Sequence, residues 1–182
     1  MNTWPKHEML VARDVRKDAV LSEDGLYRYS LTRDWWVSEK PFERSLKMVT
    51  WVMLNPSTAD ALVDDPTIRR CFGFSFKGHF NRMTVVNLFP LRATDPKVLY
   101  KDQQAALGDP AAANQAILDA ARLSDTVVCA WGVHGALGGR GAEVLSLLKT
   151  EGFTPYCLGL TKAGHPKHPL YLPTNSELIA MP

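Results

Sequence analysis

The stretch MVTWVMLNPSTADALVDDPTIRRCF, residues 48–72, contains the change of pattern that decides the fold. Its first part, 48–54, is a nearly continuous apolar run, which is typical of a strand covered on both faces. Asn55 and Pro56 then end the strand with a polar side chain and a residue that has no backbone N–H. Asp65 followed by Pro66 predicts a helix start, with the aspartate as N-cap and the proline at the first helical position.

The rest of the chain repeats this alternation of strand and helix. Buried strands are predicted in three more segments, RMTVVNLFPL (82–91), SDTVVCAWG (124–132) and TPYCLGL (154–160). Helices are predicted at 109–122 and in GAEVLSLLKTEGF (141–153), and a half-buried, alternating strand at 26–36. We therefore predict an α/β fold, a three-layer sandwich with a mostly parallel central sheet and an N-terminal antiparallel strand.

Length and composition are those of an ordinary globular protein. The chain has 182 residues, of which 46% are hydrophobic and 22% charged, and we predict a single domain over 1–182 with a polar N-terminal extension at 1–24. The net charge of +2 does not by itself indicate a nucleic-acid-binding surface. The three cysteines lack metal-binding spacing, and no apolar stretch approaches the roughly 20 residues of a membrane span. We expect a cytoplasmic monomer that binds no membrane.

Polar side chains follow each predicted parallel strand, and in such sheets the ligand binds beyond the carboxyl ends of the strands. These segments, which carry amides, hydroxyls, histidines and aromatic rings, are 55–58, 87–92, 131–135 and 165–171. Neither a dinucleotide-binding fingerprint nor a P-loop is present. We interpret the glycine-rich GALGGRG (135–141) as a loop, with an anion site on its backbone amides as the alternative. The histidines lack the i, i+4 spacing of helical metal ligands, so we expect no metal and no cofactor.

The order of these motifs resembles that of the uracil-DNA glycosylase superfamily. MLNPST (53–58) is similar to its first motif, Gly-x-Asn-Pro-Gly or Gly-Gln-Asp-Pro-Tyr, and KHPLYL (167–172) to its last, His-Pro-Ser-Pro-Leu. Between them, VVNLFPLRATDP (85–96) is similar to a strand that ends in asparagine, and CAWG (129–132) to one that ends in Leu-Trp-Gly. The resemblance covers 48–172 in order and implies a glycosylase-like fold. The motifs Leu-Asn-Pro-Ser-Thr-Ala-Asp and His-Pro-Leu-Tyr also resemble a family of bacterial and phage proteins, and that second resemblance implies no activity.

The superfamily resemblance implies hydrolysis of an N-glycosidic bond, as in DNA repair or modified-DNA metabolism. It implies two catalytic residues, Asn55 to position the attacking water and His168 to donate to the departing base. Asn87 would read one base edge with its donor and its acceptor. The other predicted base contacts are Phe72, Phe89, Ser57 and Thr58. A flipped base on DNA also needs phosphate contacts and a wedge, for which we predict Arg69, Arg70, Arg92, Lys167, Leu170 and Tyr171.

Departures from the superfamily pattern leave the substrate and the reaction open. Met53 replaces the glycine of the first motif and Ser57 its last glycine or tyrosine, so uracil specificity is not implied. Asn55 is neutral and cannot accept a proton as a carboxylate would; the nearest acids in sequence are Asp60, Asp64 and Asp65. The alternatives are a non-catalytic reader of a flipped or modified base and a hydrolase acting on a small nucleotide. In the simplest interpretation, both asparagines only cap turns and the aspartates only cap a helix.

Overall fold

The structure, a computed structural model, describes residues 15–35, 46–57 and 63–182. Within these ranges a seven-stranded sheet is formed by β1 Arg16–Leu21, β2 Arg28–Asp34, β3 Met48–Met53, β4 Arg82–Asn87, β5 Thr126–Cys129, β6 Tyr156–Cys157 and β7 Ile179–Ala180. The helices are α1 Pro66–Lys77, α2 Val98–Lys101, α3 Gln103–Leu107, α4 Pro110–Arg122 and α5 Arg140–Thr150, with 3₁₀ segments at Val133–Gly139 and Pro169–Tyr171.

The strand order in the described part of the chain is β1-β2-β4-β3-β5-β6-β7. β3 pairs in parallel with β4 on one side and with β5 on the other, and β6 extends the parallel region beyond β5. β1, β2 and β7 run antiparallel to their neighbours. The predicted α/β fold and the antiparallel strand before β3 are confirmed, but the sheet is mixed rather than mostly parallel.

The strands that the sequence did not predict are those at the edges of the sheet. β1 lies within the segment 1–24 that we expected to be an extension, and β7 is only two residues long. The side chains of β1 are exposed or only partly buried, so its sequence RKDAVL has no apolar alternation. Backbone hydrogen bonding to β2 holds this strand, and that pairing leaves little trace in the sequence.

Helices cover both faces of the sheet. On one face, Ile68 and Cys71 of α1 pack in a cluster with Val49, Trp51 and Met53 of β3. On the other face, α4 and α5 pack on residues of β3, β4 and β5 that include Val52, Val86, Val127 and Cys129. Successive β3 side chains therefore enter different clusters, which explains why its sequence is a continuous apolar run.

Helix capping follows the sequence closely. The Asp65 side chain accepts the backbone N–H of Ile68 at 2.8 Å, Pro66 is the first residue of α1, and the helix ends before Gly78. Asp109 caps α4 in the same way, accepting from Ala111 at 2.9 Å. The two Asp-Pro helix starts are thus confirmed.

A buried ion pair connects β2 to the start of α1. Arg33 is fully buried, and its Nε and Nη2 lie 2.8 and 2.6 Å from Oδ1 of Asp64. Nη1 donates to the carbonyl oxygen of Thr32 at 2.9 Å. Because Asp64 directly precedes the N-cap residue, this pair fixes the position at which α1 begins over the sheet.

We expect Asp64→Ala to lower the free energy of unfolding by about 3–5 kcal/mol, because it leaves the buried Arg33 charge uncompensated. Asp119→Ala is the matched control, since Asp119 pairs with Arg122 on the surface and should contribute less than about 1 kcal/mol. Denaturant unfolding of both variants measures the difference. Equal losses would contradict a structural role for the buried pair.

Candidate functional site

The carboxyl ends of the parallel strands lie at one edge of the sheet. Between β3 and β5 the direction in which successive strands are added to the sheet reverses. The connection after β3 passes over one face through α1, and the connection after β5 passes over the other face through α5. In doubly wound sheets, connections that diverge in this way leave a ligand-binding crevice between them, and we place the candidate site in the crevice expected at these strand ends. Gly132, just after β5, donates its backbone N–H to Pro166 at 2.9 Å, which brings the segment containing His168 to the same edge.

Asn55 lies just beyond the end of β3 and is partly buried. Its Nδ2 donates to the carbonyl oxygen of Ala93 at 2.7 Å and to that of Pro56 at 3.1 Å. This side chain therefore connects the loops that follow β3 and β4, as the turn-capping interpretation expects. No hydrogen bond to its Oδ1 comes from the described part of the chain, so this oxygen can accept from a water or a ligand.

Asn87 is the last residue of β4 and is 4% exposed. By strand alternation its side chain lies on the α1 face of the sheet, as do those of Met83 and Val85. Neither Nδ2 nor Oδ1 has a hydrogen-bond partner among the described residues. Leaving a buried polar group unsatisfied costs about 1–3 kcal/mol, so an amide at this position weakens the fold unless something else binds it.

His168 is the N-cap of the 3₁₀ segment Pro169–Tyr171. It lies beside Gly132, just after β5, because a β-carbon placed on this glycine would be 3.6 Å from the Cβ of His168. Its Nδ1 accepts the backbone N–H of Leu170 at 3.3 Å. Burial lowers the pKa of the imidazole below its ordinary value of 6.5, and the attraction of Asp65 only partly opposes this shift. A neutral imidazole with Nδ1 as acceptor carries its proton on Nε2, which is therefore a hydrogen-bond donor.

Charged side chains from β2 and α1 adjoin the crevice. Asp65, the N-cap of α1, interacts electrostatically with both His168 and Arg28. Arg28 begins β2 and is 3% exposed. Burial lowers the pKa of Arg28 to about 10, with Asp65 opposing the shift and neighbouring arginines adding to it. Arg28 therefore stays protonated at neutral pH, and the crevice combines a cation, a carboxylate, a neutral donor and an unsatisfied amide.

The two phenylalanines predicted to contact a base lie in the hydrophobic clusters. The ring centroid of Phe72 is 4.6 Å from that of Trp35, and Phe89 is buried in the cluster beneath α4 and α5. Ser57 is partly buried in the loop after β3. Thr58 lies outside the described residues. The packing of both rings is that of core residues, and their contact with a base stays a prediction.

Arg70 connects α1 to the segment that follows His168. Its Nε donates to the carbonyl oxygen of Pro169 at 3.2 Å, its Nη2 donates to that of Leu172, and the guanidinium lies 4.8 Å from the ring centroid of Phe74. Arg70, which we predicted to contact DNA, therefore donates its hydrogen bonds to acceptors within the protein. These contacts hold the segment after His168 against α1, whose N-cap is Asp65.

The other predicted DNA contacts are distributed around the crevice. Tyr171 is 84% exposed, and its ring centroid lies 5.8 Å from that of His168, so it places an aromatic ring at the rim. Arg92, in the loop after β4, donates from Nη1 to the carbonyl oxygen of Gly25 at 2.8 Å. The remaining three are Arg69 and Lys167, both exposed, and Leu170, which is partly buried.

Other features of the described residues give no comparable site. A groove of about 310 Å³ lies near the opposite ends of the parallel strands, lined by residues that include Tyr29, Thr84 and Asp119. None of the side chains that line it is a buried polar group without a partner.

Cys71, Cys129 and Cys157 are buried thiols, and burial raises the pKa of each, which makes them poor nucleophiles. No group of residues in the described ranges could hold a metal ion, and no helix there is long and apolar enough to cross a membrane.

Residues 28–170 match a protein family described as "Protein of unknown function (DUF1643)". The chain belongs to the DUF1643 family. The matched region begins with Arg28 and ends within the 3₁₀ segment after His168, so it contains every strand end of the crevice and leaves out β1 and β7. No curated protein and no solved structure matches the chain significantly.

Sequence reasoning missed Arg28 among the site residues of this DUF1643 chain. We predicted that β2 would alternate apolar and polar side chains, yet Arg28 and Arg33 are both buried. Arg33 did carry a signal, because it has the same parity along the strand as Leu31 and Trp35, which face the core. Arg28 had no such signal, since it has the opposite parity along β2.

The neutral state of His168 predicts a pH-dependent stability. Because its folded-state pKa lies below the ordinary value of 6.5, the unfolded chain binds more protons below about pH 6.5 and the free energy of unfolding falls there. His168→Asn keeps an acceptor for the Leu170 N–H but cannot titrate. We expect this variant to lose less stability than the wild type between about pH 7.5 and about pH 5.5 in urea unfolding. Identical pH dependence would contradict a partly buried, neutral His168.

Proposed function

We propose that the crevice at the carboxyl edge of the sheet binds a nucleobase and that the protein hydrolyses the N-glycosidic bond of that base. The observation that carries the proposal is Asn87, an amide that is 4% exposed at the end of β4 and has no hydrogen-bond partner among the described residues. The resemblance of the strand-end motifs to the uracil-DNA glycosylase superfamily supports the same function from the sequence.

A carboxamide presents an acceptor beside a donor, so it is satisfied by a ligand edge that carries a donor beside an acceptor. Nucleobases have such edges, and bidentate amide contacts are a common way of reading them. A buried amide also discriminates well, because a ligand with the wrong edge leaves it unsatisfied. Asn87 therefore suits selection of one base, while its surroundings do not identify which base that is.

The neighbouring groups suit bond cleavage. When an N-glycosidic bond breaks, positive charge develops on the sugar and negative charge on the departing base. His168 would donate its Nε2–H to that base, and because the ring is neutral no second cation has to be buried there. Asn55 would accept a hydrogen bond from the attacking water through Oδ1, while its Nδ2 stays bonded to Ala93.

A second function, reading a base without cleaving it, is favoured by the side chain of Asn55. It is neutral, and its Nδ2 already stabilises the loops beyond β3 and β4.

A substrate that is a small nucleotide rather than DNA is compatible with the net charge of only +2. Exposed Lys167 and Tyr171 at the rim instead suit a polynucleotide.

Asn87→Leu tests whether the amide is retained for a ligand. Since the Asn87 side chain has no hydrogen-bond partner among the described residues, we expect the variant to be as stable as the wild type or more stable by about 1–3 kcal/mol. Its affinity for the base should fall by about tenfold or more, because the edge contacts are lost. The control is Thr50→Val, since buried Thr50 donates to Ala120 at 2.9 Å and its loss should destabilise the protein. Destabilisation of both variants to the same degree would contradict the proposed role of Asn87.

The activity is tested by incubating the protein with oligonucleotides and free nucleotides that carry natural and modified bases, with mass spectrometry to detect released base. We expect release from a restricted set of bases and a loss of about 100-fold in Asn55→Ala, because misplaced water reacts slowly. Release by Asn55→Ala at the wild-type rate would exclude its assigned role. Tight binding without release over hours would select the non-catalytic reader, and steep salt dependence would indicate DNA as the substrate.

A further inference from the structure

We propose that Asp65 is the carboxylate that accepts the proton of the attacking water in this site. The inference rests on the proposed N-glycosidic hydrolysis and adds the proton acceptor that Asn55, being neutral, cannot provide. The sequence alone leaves three neighbouring acids as candidates, and the structure separates the two that it describes, Asp64 and Asp65.

Asp64, one of the three acids, is set aside by its contacts. Asp64 is committed to buried Arg33, with Oδ1 within hydrogen-bond distance of two guanidinium nitrogens, and its Oδ2 is 3.6 Å from Nζ of Lys17. Asp64 is therefore already committed to the ion pair that compensates buried Arg33. Asp60 lies outside the described residues. Of the two acids that the structure describes, Asp65 is therefore the candidate, and it is only partly buried.

The packing of α1 places Asp65 beside the crevice. α1 follows the loop after β3, so its first turn lies at the carboxyl edge of the sheet. Arg70, one and a half turns further along α1, holds the helix against the 3₁₀ segment through the carbonyl oxygens of Pro169 and Leu172. Asp65 and His168 are the N-caps of the two elements that this contact joins.

The hydrogen bonds of Asp65 leave one oxygen available. Oδ1 accepts the backbone N–H of Ile68 at 2.8 Å, and no described residue donates to Oδ2. The charge of Asp65 acts on His168 and on Arg28, both of which adjoin the crevice, and on Cys71 of its own helix. One oxygen of the Asp65 carboxylate is therefore fixed by the helix cap, and the charge of the carboxylate acts on Arg28 and His168.

In the proposed step, the water oxygen forms a bond to the anomeric carbon of the sugar while the bond from that carbon to the base nitrogen breaks. The electron pair of the broken bond leaves with the base, and the hydrogen bond from His168 stabilises the negative charge without transfer of its proton. The water proton passes to Asp65 and then returns through solvent to the base. The products are a free base and a sugar hydroxyl, with Asp65 and His168 unchanged.

A purely structural role is the competing explanation, because an aspartate at an N-cap stabilises its helix wherever it lies. Asparagine caps helices about as well as aspartate does. Asp65→Asn should therefore keep the cap to Ile68 while removing the carboxylate. α4 supplies a matched control, since Asp109 is an N-cap followed by proline in the same way but lies on a helix that packs on the other face of the sheet.

The test compares wild type, Asp65→Asn and Asp109→Asn by unfolding, by single-turnover release of the best base from the panel, and by the His168 pKa from NMR titration. We expect all three to fold, and Asp65→Asn to release base about 100-fold more slowly or worse, as for loss of a general base. The pKa of His168 should fall further in Asp65→Asn, because the attraction that opposes its lowering is removed, and stay at the wild-type value in Asp109→Asn.

The outcomes separate this inference from the proposed function. Release by Asp65→Asn at the wild-type rate, while the wild type is active, would overturn the role of Asp65 alone. A His168 pKa unaffected by Asp65→Asn would show that the carboxylate does not face the site and would overturn it as well. Absence of release from the wild type would overturn the hydrolytic function and the proton acceptor with it.

Discussion

Hydrogen bonding of β3 to a parallel strand on each side is the constraint on which the rest of the structure depends. Met53 lies opposite Asn87 on β4, and Val52 opposite Cys129 on β5, so the three strands end at the same level. Parallel neighbours require crossover connections, and the helices that form them cover both faces. The connections after β3 and β5 then cover opposite faces of the sheet, and the candidate site lies between these strand ends.

Buried polar side chains are found near this edge and also elsewhere in the described part of the sheet. Arg28, Arg33 and Asn87 are all nearly inaccessible to solvent, although most of the core around them is apolar. Arg33 is compensated by Asp64 and serves to position α1. Asn87 has no such compensation in the described residues, and its place at the carboxyl end of a central strand is where ligands bind in sheets of this kind. Buried polar groups without a partner are expected at functional sites, and the Asn87 amide is such a group at the strand end that borders the crevice.

The parts of the fold that depend on local chemistry could be predicted from the sequence. Apolar runs predicted β3, β4 and β5, and the Asp-Pro pairs predicted the starts of α1 and α4. β1 could not be predicted, because its side chains are mostly exposed and its place in the sheet depends on pairing with β2. The position of Asn55, Asn87 and His168 at one edge followed from their places after strands. The roles of Asp64 and Asp65 could not be separated, since they depend on which acid the buried Arg33 reaches across the fold.

The contact between Asn87 and a base edge is the interaction on which the proposed function depends, and NMR of the asparagine side-chain amides measures it directly. On titration with the oligonucleotide or nucleotide whose base is released, we expect the Asn87 amide resonances to shift as its hydrogen bonds form. Those of Asn81, at the opposite end of β4, should stay in place. An Asn87 amide that does not respond to a ligand that binds would contradict base recognition in this crevice.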